Sequence, residues 1–183
     1  MEYAIKVKEL TKHYKDFTLD NISFGVPTGS IVGFIGENGA GKSTTIKAIL
    51  DLIRKDAGTI ELLGQENGAG NREIKEQIGV IFDECYFPDG LTVEDVNRMM
   101  KYTYRQWETE TFFGYCKRFE LPGKKAVKEF SRGMKVKLSI AAALSHQAKL
   151  IILDDACGSL DPVVRNEILD IFMDFIQEED HTV

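Results

Sequence analysis

Two features are scarce in this sequence of 183 residues: long hydrophobic runs and paired cysteines. No apolar stretch approaches the ~20 residues that a membrane-spanning helix needs, and Met1-Glu2-Tyr3 begins no secretory signal. Cys85, Cys116 and Cys157 form no C-x-x-C pair, which argues against a disulfide framework and a zinc site. A net charge of −6 argues against nucleic acid as the main partner, since duplex-binding surfaces usually carry a cationic excess. These absences predict a cytoplasmic protein with reduced thiols and no direct nucleic-acid contact.

The clearest positive signal is a glycine-rich stretch, here called the phosphate loop, that fits G-x-x-x-x-G-K-[ST]. Its glycines let backbone N–H groups converge on phosphate oxygens, and the helix that follows adds its positive end. Lys42 is expected to reach the β- and γ-phosphates, and the hydroxyl of Ser43 to ligate Mg²⁺. The stretch therefore predicts a nucleoside triphosphate site. Its candidate binding residues are Gly36, Glu37, Asn38, Gly39, Ala40, Gly41, Lys42, Ser43 and Thr44.

The segments on either side of the phosphate loop fit this interpretation. Residues 30–35 form a nearly continuous apolar run, as expected of a parallel strand buried on both faces. Residues 44–53 place Ile46, Ile49, Leu50 and Ile53 at helical spacing. The pattern is thus strand, loop and helix.

The rest of the chain predicts an α/β fold with a helical insertion. Alternating patterns over 4–7 and 19–26 indicate antiparallel strands, and apolar runs over 58–64, 78–82 and 150–153 indicate three more strands. Between them, helices are predicted at 72–77, 93–104, 109–119 and 134–144. The helical block is too large for an ordinary crossover. We therefore expect one domain, with an α/β core at 1–83 and 147–183 and a helical subdomain at 84–146.

Two adjacent carboxylates follow the apolar run over 150–153. Asp154 should lie at the carboxyl edge of a parallel sheet, where ligands of such folds collect, and can hold Mg²⁺ there. Asp155 would direct a second carboxylate at the water that attacks the γ-phosphate. A solvated acidic turn is the alternative for an isolated pair, but the phosphate loop upstream favours the metal site.

The order of these motifs resembles the ATPase domain of ABC transporters. Phe130-Ser131-Arg132-Gly133-Met134, here called the signature segment, resembles the family's L-S-G-G-Q, which contacts the γ-phosphate held by a second subunit. Its Ser131 also suits a helix N-cap. Ser159-Leu160-Asp161 resembles the family's dimer-contact loop, with Asp161 capping a helix that starts at Pro162. Tyr14 stands where the family places an aromatic ring that stacks on adenine, although a half-buried tyrosine at a strand end is an equal alternative.

The resemblance implies a P-loop NTPase core with an antiparallel N-terminal β subdomain, and it also reveals departures. The family usually has Glu where this chain has Asp155, whose shorter side chain must still reach the attacking water. Asp83 replaces a Gln that commonly touches Mg²⁺, and its anionic oxygen can still serve the metal through water. The signature segment keeps Ser131 and Gly133 but departs from the pattern at Phe130, Arg132 and Met134.

The family carries a switch histidine at the end of an apolar strand that follows the helix after Pro162. His181 precedes any such strand and is interpreted as a solvated turn residue. We therefore expect a C-terminally truncated domain with little activity, which leaves a slot in its sheet and does not form a stable monomeric ATPase.

The function implied by the resemblance is that of an ATP-binding and ATP-hydrolysing transporter subunit, with export slightly favoured over import. Lys42 and Asp155 are the catalytic candidates, Ser43, Asp83 and Asp154 the metal candidates, and ATP and Mg²⁺ the cofactors. The expected partners are a second copy of the domain and integral-membrane permease subunits at the inner face of the cell membrane. A soluble ABC-type ATPase in translation or DNA maintenance, a binding-only regulatory subunit and a small-GTPase or kinase-like protein are the alternatives. The last is disfavoured because no [NT]-K-x-D motif occurs.

Overall fold

The computed structural model describes residues 3–68, 70–155, 160–178 and 180–183. Two compact units make up the chain. The first unit consists of Met1–Lys75 with Phe175–Val183, and the second unit consists of Glu76–Asp174.

An antiparallel sheet forms most of the first unit. Its strands are β1 (Tyr3–His13), β2 (Thr18–Pro27), β3 (Ala57–Leu62) and β4 (Gln65–Glu66). They lie in the order β2-β1-β3-β4, so the longest strand, β1, is in the interior of the sheet together with β3. Inward-facing side chains of β1 and β3, among them Val7, Leu10 and Ile60, are almost completely buried. The predicted antiparallel strands are confirmed, and the strand predicted at 58–64 joins the same sheet.

The first unit also holds the helix that follows the phosphate loop. This helix, α1, runs over Lys42–Ile49 and buries Thr45, Ala48 and Ile49, so it begins two residues earlier and ends earlier than predicted. A second short helix, α2, covers Arg72–Lys75. Both helices occur where hydrophobic periodicity predicts them.

The run before the phosphate loop differs from its prediction. Within the described residues no strand is assigned between β2 and α1, and Ile31, Val32, Phe34 and Ile35 are exposed. Its backbone bonds instead to the last residue: the Val32 N–H donates to the Val183 carbonyl at 2.9 Å, and the Val183 N–H donates to Ser30 at 3.0 Å. Apolar composition alone does not make a strand, because a strand needs neighbours for its backbone groups.

A parallel pair of strands forms the centre of the second unit. β5 covers Ile78–Phe82 and β6 covers Leu150–Asp154, with Phe82 opposite Asp154. The glycine at residue 79 leaves room for Ile151 and Ala143 to pack against β5: a Cβ there would lie 2.5 Å from Ile151 Cδ1 and 3.0 Å from Ala143 Cβ. Both strands match their predictions, and their carboxyl ends share one edge.

Helices make up the rest of the second unit. Thr92 caps helix α3 (Val93–Thr103) by accepting from the Asp95 N–H, and the Asp95 side chain accepts in return from the Thr92 N–H, which completes a capping box. The three helices predicted between 93 and 144 are confirmed to within two residues at each end, whereas the limits 84–146 of a separate helical subdomain stay a prediction. No helix in the described ranges combines the length and the apolar character that crossing a lipid bilayer requires. The bounds are α3 Val93–Thr103, α4 Thr109–Arg118, α5 Arg132–Ala143 and α6 Pro162–Phe175, with a 3₁₀ turn at Val127–Glu129.

Candidate functional site

The phosphate loop is an exposed turn that leads directly into α1. The Ala40 N–H donates to the Glu37 carbonyl at 3.1 Å, which closes a turn around Asn38 and Gly39. Gly39 has φ +86°, in the left-handed region that favours glycine. Residues 36–40 are all exposed, so a ligand can reach this part of the loop, as a phosphate cradle requires. Gly36 also lies in this exposed run.

Lys42 is the cation of the phosphate loop. Its ammonium donates to the Gly36 carbonyl at 2.7 Å and to the Glu37 carbonyl at 2.9 Å, so the side chain folds back over its own loop. Ser43 and Thr44 follow in the first turn of α1, which carries no acidic residue. The loop therefore brings a positive side chain and the positive end of a helix dipole to one place, which suits an anion.

Gly41 is the most tightly constrained residue of the loop. It has φ +95°, and a Cβ there would lie 2.8 Å from Phe17 Cζ and 3.0 Å from Leu19 Cδ1. The phosphate loop therefore packs on the end of the β1–β2 hairpin. Sequence reasoning missed this contact, because Phe17 and Leu19 carry no motif of their own.

Tyr14 lies in the turn of the same hairpin. Its N–H donates to the Phe17 carbonyl at 2.8 Å, its ring is 6.5 Å from the Phe17 ring, and the Lys12 ammonium is 5.5 Å from its centroid. Tyr14 is 47% exposed. Stacking of Tyr14 on adenine stays a prediction.

Three predicted carboxylates lie in the second unit, at the carboxyl edge of β5 and β6. Asp154 is the last residue of β6 and is partly buried, and Asp83 directly follows β5 and is exposed. Asp155 is also exposed and has φ +53°, in the left-handed region of backbone conformation. Asp83 and Asp154 thus come at the carboxyl ends of two paired parallel strands, and their role as metal ligands stays a prediction.

The predicted metal donors are a hydroxyl and two carboxylates. In the described ranges, no three His, Cys, Asp or Glu side chains converge as a metal-binding group. Ser43, Asp83 and Asp154 are nevertheless hard oxygen donors, and Mg²⁺ usually takes one or two protein carboxylates together with water and substrate phosphates. The residues therefore fit Mg²⁺ delivered with a nucleotide better than a metal held by protein alone.

The signature segment leads into α5. Ser131 is the N-cap, and its hydroxyl accepts from the Met134 N–H at 3.3 Å, which confirms the capping interpretation. A Cβ added at Gly133 would meet only Leu160 Cδ2, at 4.0 Å, so the described residues of this chain leave room for a side chain there. Arg132 lies 3.8 Å from Asp83, measured from Nη2 to Oδ2.

The segment predicted to form a dimer contact is described only in part, because Ser159 lies outside the described residues, as does Cys157. Asp161 accepts from the Val163 N–H at 2.9 Å, and Pro162 is the first residue of α6, as predicted. His181 differs from its interpretation as a solvated residue: its ring stacks on Phe175 at 4.3 Å and bonds to the Phe175 carbonyl.

A cavity of about 300 Å³ in the second unit also escaped sequence reasoning. His146 is buried, donates from Nδ1 to the Glu76 carbonyl at 3.1 Å and stacks on Tyr104 at 4.0 Å. Burial lowers the pKa of His146, and burial together with the charge of Glu76 raises the pKa of Tyr104. The mainly apolar lining is Val80, Phe82, Glu84, Tyr86, Phe87, Met99, Met100, Tyr104, Ser139, Ala142, Ala143 and His146.

Known proteins resemble this chain over almost its whole length. A family model described as ABC transporter matches residues 19–158. The bacitracin transport ATP-binding protein BcrA of Bacillus licheniformis is 33% identical, and the alignment covers 100% of this chain and 61% of the relative. The lantibiotic transport ATP-binding protein SrtF of Streptococcus pyogenes is 34% identical, with 95% of this chain and 76% of the relative covered. The chain thus spans about three fifths of BcrA and more of SrtF.

Solved structures give the same result for the fold. An ATP-binding subunit of an ABC transporter has a TM-score of 0.86 and 28% identity, covering 98% of this chain and 77% of that chain. An ATP-binding cassette in a dimeric post-hydrolysis state with ADP and phosphate has a TM-score of 0.81 at 24% identity, covering 98% and 85%. The predicted fold class is confirmed. With its phosphate loop, signature segment and carboxylate-ended β6, the chain belongs to the ABC transporter family and has the P-loop NTPase fold of its ATP-binding domains.

Proposed function

We propose that this chain binds and hydrolyses ATP and thereby powers transport, most simply export, through separate membrane subunits. The observation that carries the proposal is the phosphate loop, in which exposed backbone, the Lys42 ammonium and the start of α1 occur together. The similarity to bacitracin and lantibiotic transport ATP-binding proteins supports the role in transport. We place the protein in the cytoplasm, against the inner face of the cell membrane.

Mg²⁺ would supply charge neutralisation at the β- and γ-phosphates. We propose that Ser43, Asp83 and Asp154 hold it, directly or through water. Asp155 would orient the attacking water and accept its proton, while Lys42 would stabilise the negative charge of the phosphates. These roles follow from the chemistry of each side chain and from the family pattern.

We propose that a second copy of the domain completes the nucleotide site. Ser131 is exposed at the head of α5, and the space around Gly133 is open, so phosphate oxygens of a partner could approach this end closely. Packing within the described part of the chain does not require a glycine at position 133. Close approach of a second copy and its nucleotide would explain why this residue has no side chain.

The membrane partner is proposed to contact the second unit. The cavity bounded by β5, α3 and α5 is mainly apolar, and Tyr86 at its lining is 71% exposed. An apolar side chain on a cytoplasmic segment of the permease would fit such a place. Asp83 lies in the chain between the lining residues Phe82 and Glu84, so a movement of this lining would also move the proposed metal ligand.

The test of the proposal is a titration of the chain with a fluorescent ATP analogue. Lys42→Ala removes a charge-assisted bond worth about 1.5–3 kcal/mol, so its affinity should fall at least about tenfold. Lys47→Ala is the matched control, because it removes the same charge from the exposed last turn of α1. Equal affinities for the two variants would contradict the assignment of the phosphate loop.

A binding-only regulatory subunit is the second candidate, favoured by the short side chain of Asp155. Release of inorganic phosphate separates the two functions. A protein that binds the analogue with the expected dependence on Lys42 but releases no phosphate in a complete transporter would be the regulatory form.

A further inference from the structure

Two residues that depart from the family pattern meet in the second unit. Arg132 is the first residue of α5, and Asp83 is the first residue after β5. The Nη2 of Arg132 lies 3.8 Å from the Oδ2 of Asp83, and their side chains are 56% and 49% exposed. The pattern has Gly at the first position and Gln at the second, so two departures of opposite charge face each other.

The position of Arg132 is not explained by the stability of α5. A helix N-terminus carries partial positive charge, which disfavours a cation there, and the first turn of α5 contains no acidic residue. Asp83 is therefore the carboxylate that the structure places beside this cationic helix end. The pair makes Asp83 the acidic partner of α5, although it is not part of that helix.

We infer that Arg132 is a positioning residue that competes with the divalent cation for the carboxylate of Asp83. The inference rests on the proposed function, in which Asp83 serves Mg²⁺. The guanidinium attracts the carboxylate towards the signature segment. A divalent cation that binds the same carboxylate must either displace the guanidinium or bind next to its positive charge, which weakens binding. Binding of metal and nucleotide would thereby release Arg132 at the head of α5.

The test is a cycle of single and double variants with Mn²⁺ as the probe. Each protein is loaded with a non-hydrolysable ATP analogue, and Mn²⁺ affinity is measured by electron paramagnetic resonance. Arg132→Gln should bind Mn²⁺ about two- to fivefold more tightly, the size expected for one exposed charge pair. Arg132→Lys keeps the charge and should stay near the unmutated value.

The decisive comparison repeats the change in a second background. In Asp83→Asn, the additional change Arg132→Gln should leave Mn²⁺ affinity unaltered, because the shared carboxylate is gone. An equal gain in both backgrounds, or no gain in either, would overturn the inference, since the arginine would then act through general charge alone or not at all. All four variants should unfold at similar temperatures, because both side chains are about half exposed.

The outcome also separates this inference from the proposed function. If the unmutated protein binds no analogue, the proposed function fails, and the inference fails with it. If the analogue binds with the expected dependence on Lys42 and the cycle shows no coupling, only the inference fails.

Discussion

Gly41→Ala should destabilise the first unit through two separate effects. The residue has φ +95°, and a left-handed conformation costs an L-residue about 1–2 kcal/mol. Its new Cβ would also lie 2.8 Å from Phe17 Cζ and 3.0 Å from Leu19 Cδ1, and overpacking of this kind costs about 1–3 kcal/mol. Together these terms give about 2–5 kcal/mol, or a fall in Tm of about 4–20 °C for a chain of this size.

Gly39→Ala is the matched control for this prediction. Gly39 has φ +86°, but a Cβ there would meet nothing within 4 Å, so only the conformational cost of about 1–2 kcal/mol applies. Thermal unfolding followed by circular dichroism, without nucleotide, compares the two. The added cost of Gly41→Ala should shrink in a Phe17→Ala background. If Gly41→Ala costs no more than Gly39→Ala, the packing of the phosphate loop on the hairpin is wrong.

Three further predictions concern the second unit. Gly133→Asp should leave Tm unchanged or raise it, because a carboxylate in the first turn of α5 interacts favourably with the helix dipole. The same variant should prevent ATP-induced dimerisation measured by light scattering. A variant that still dimerises would contradict the contact of the signature segment with the nucleotide of a second copy. Asp155→Glu should raise the ATPase rate of a complete domain and Asp155→Asn should lower it more than tenfold, whereas three equal rates would remove Asp155 from the chemistry. Burial lowers the pKa of His146 in the folded protein, so as the pH falls the imidazole is protonated in the unfolded chain before it is protonated in the folded one. The free energy of unfolding should therefore fall as the pH drops below about 6.5 towards the lowered pKa. His146→Gln should flatten this dependence on pH, and an unchanged slope would show that His146 does not cause it.

Local patterns predicted the helices and the parallel strand pair well. Apolar periodicity predicted α3, α4 and α5. The runs over 78–82 and 150–153 are short, bounded and apolar, which is the pattern of parallel strands that are buried on both faces. The phosphate loop was readable because its function imposes residue types at fixed spacing. The cap of Ser131 followed from the same local logic.

Contacts between segments distant in sequence were not predictable in this way. The apolar run at 30–35 has the composition of a buried strand, yet Ile35 is 94% exposed. Whether such a run forms a buried strand depends on which backbone segments pair with it, and composition does not specify those partners. The contact of Phe17 with Gly41 and the pairing of Arg132 with Asp83 join residues 24 and 49 positions apart, which no local pattern encodes. The stacking of His146 on Tyr104 likewise arises only once α5 has packed on β5.

The two carbonyls that hold the Lys42 ammonium turn nucleotide binding into an exchange. A phosphate that takes this ammonium replaces bonds of 2.7 and 2.9 Å to Gly36 and Glu37, so the gain is the difference between anionic and neutral acceptors. A nucleoside monophosphate, with no β- or γ-phosphate to offer, would leave the lysine where it is. The Lys42 side chain alone would then distinguish nucleotides by their number of phosphates, because only a ligand with a β- or γ-phosphate can replace the two backbone oxygens as its acceptor.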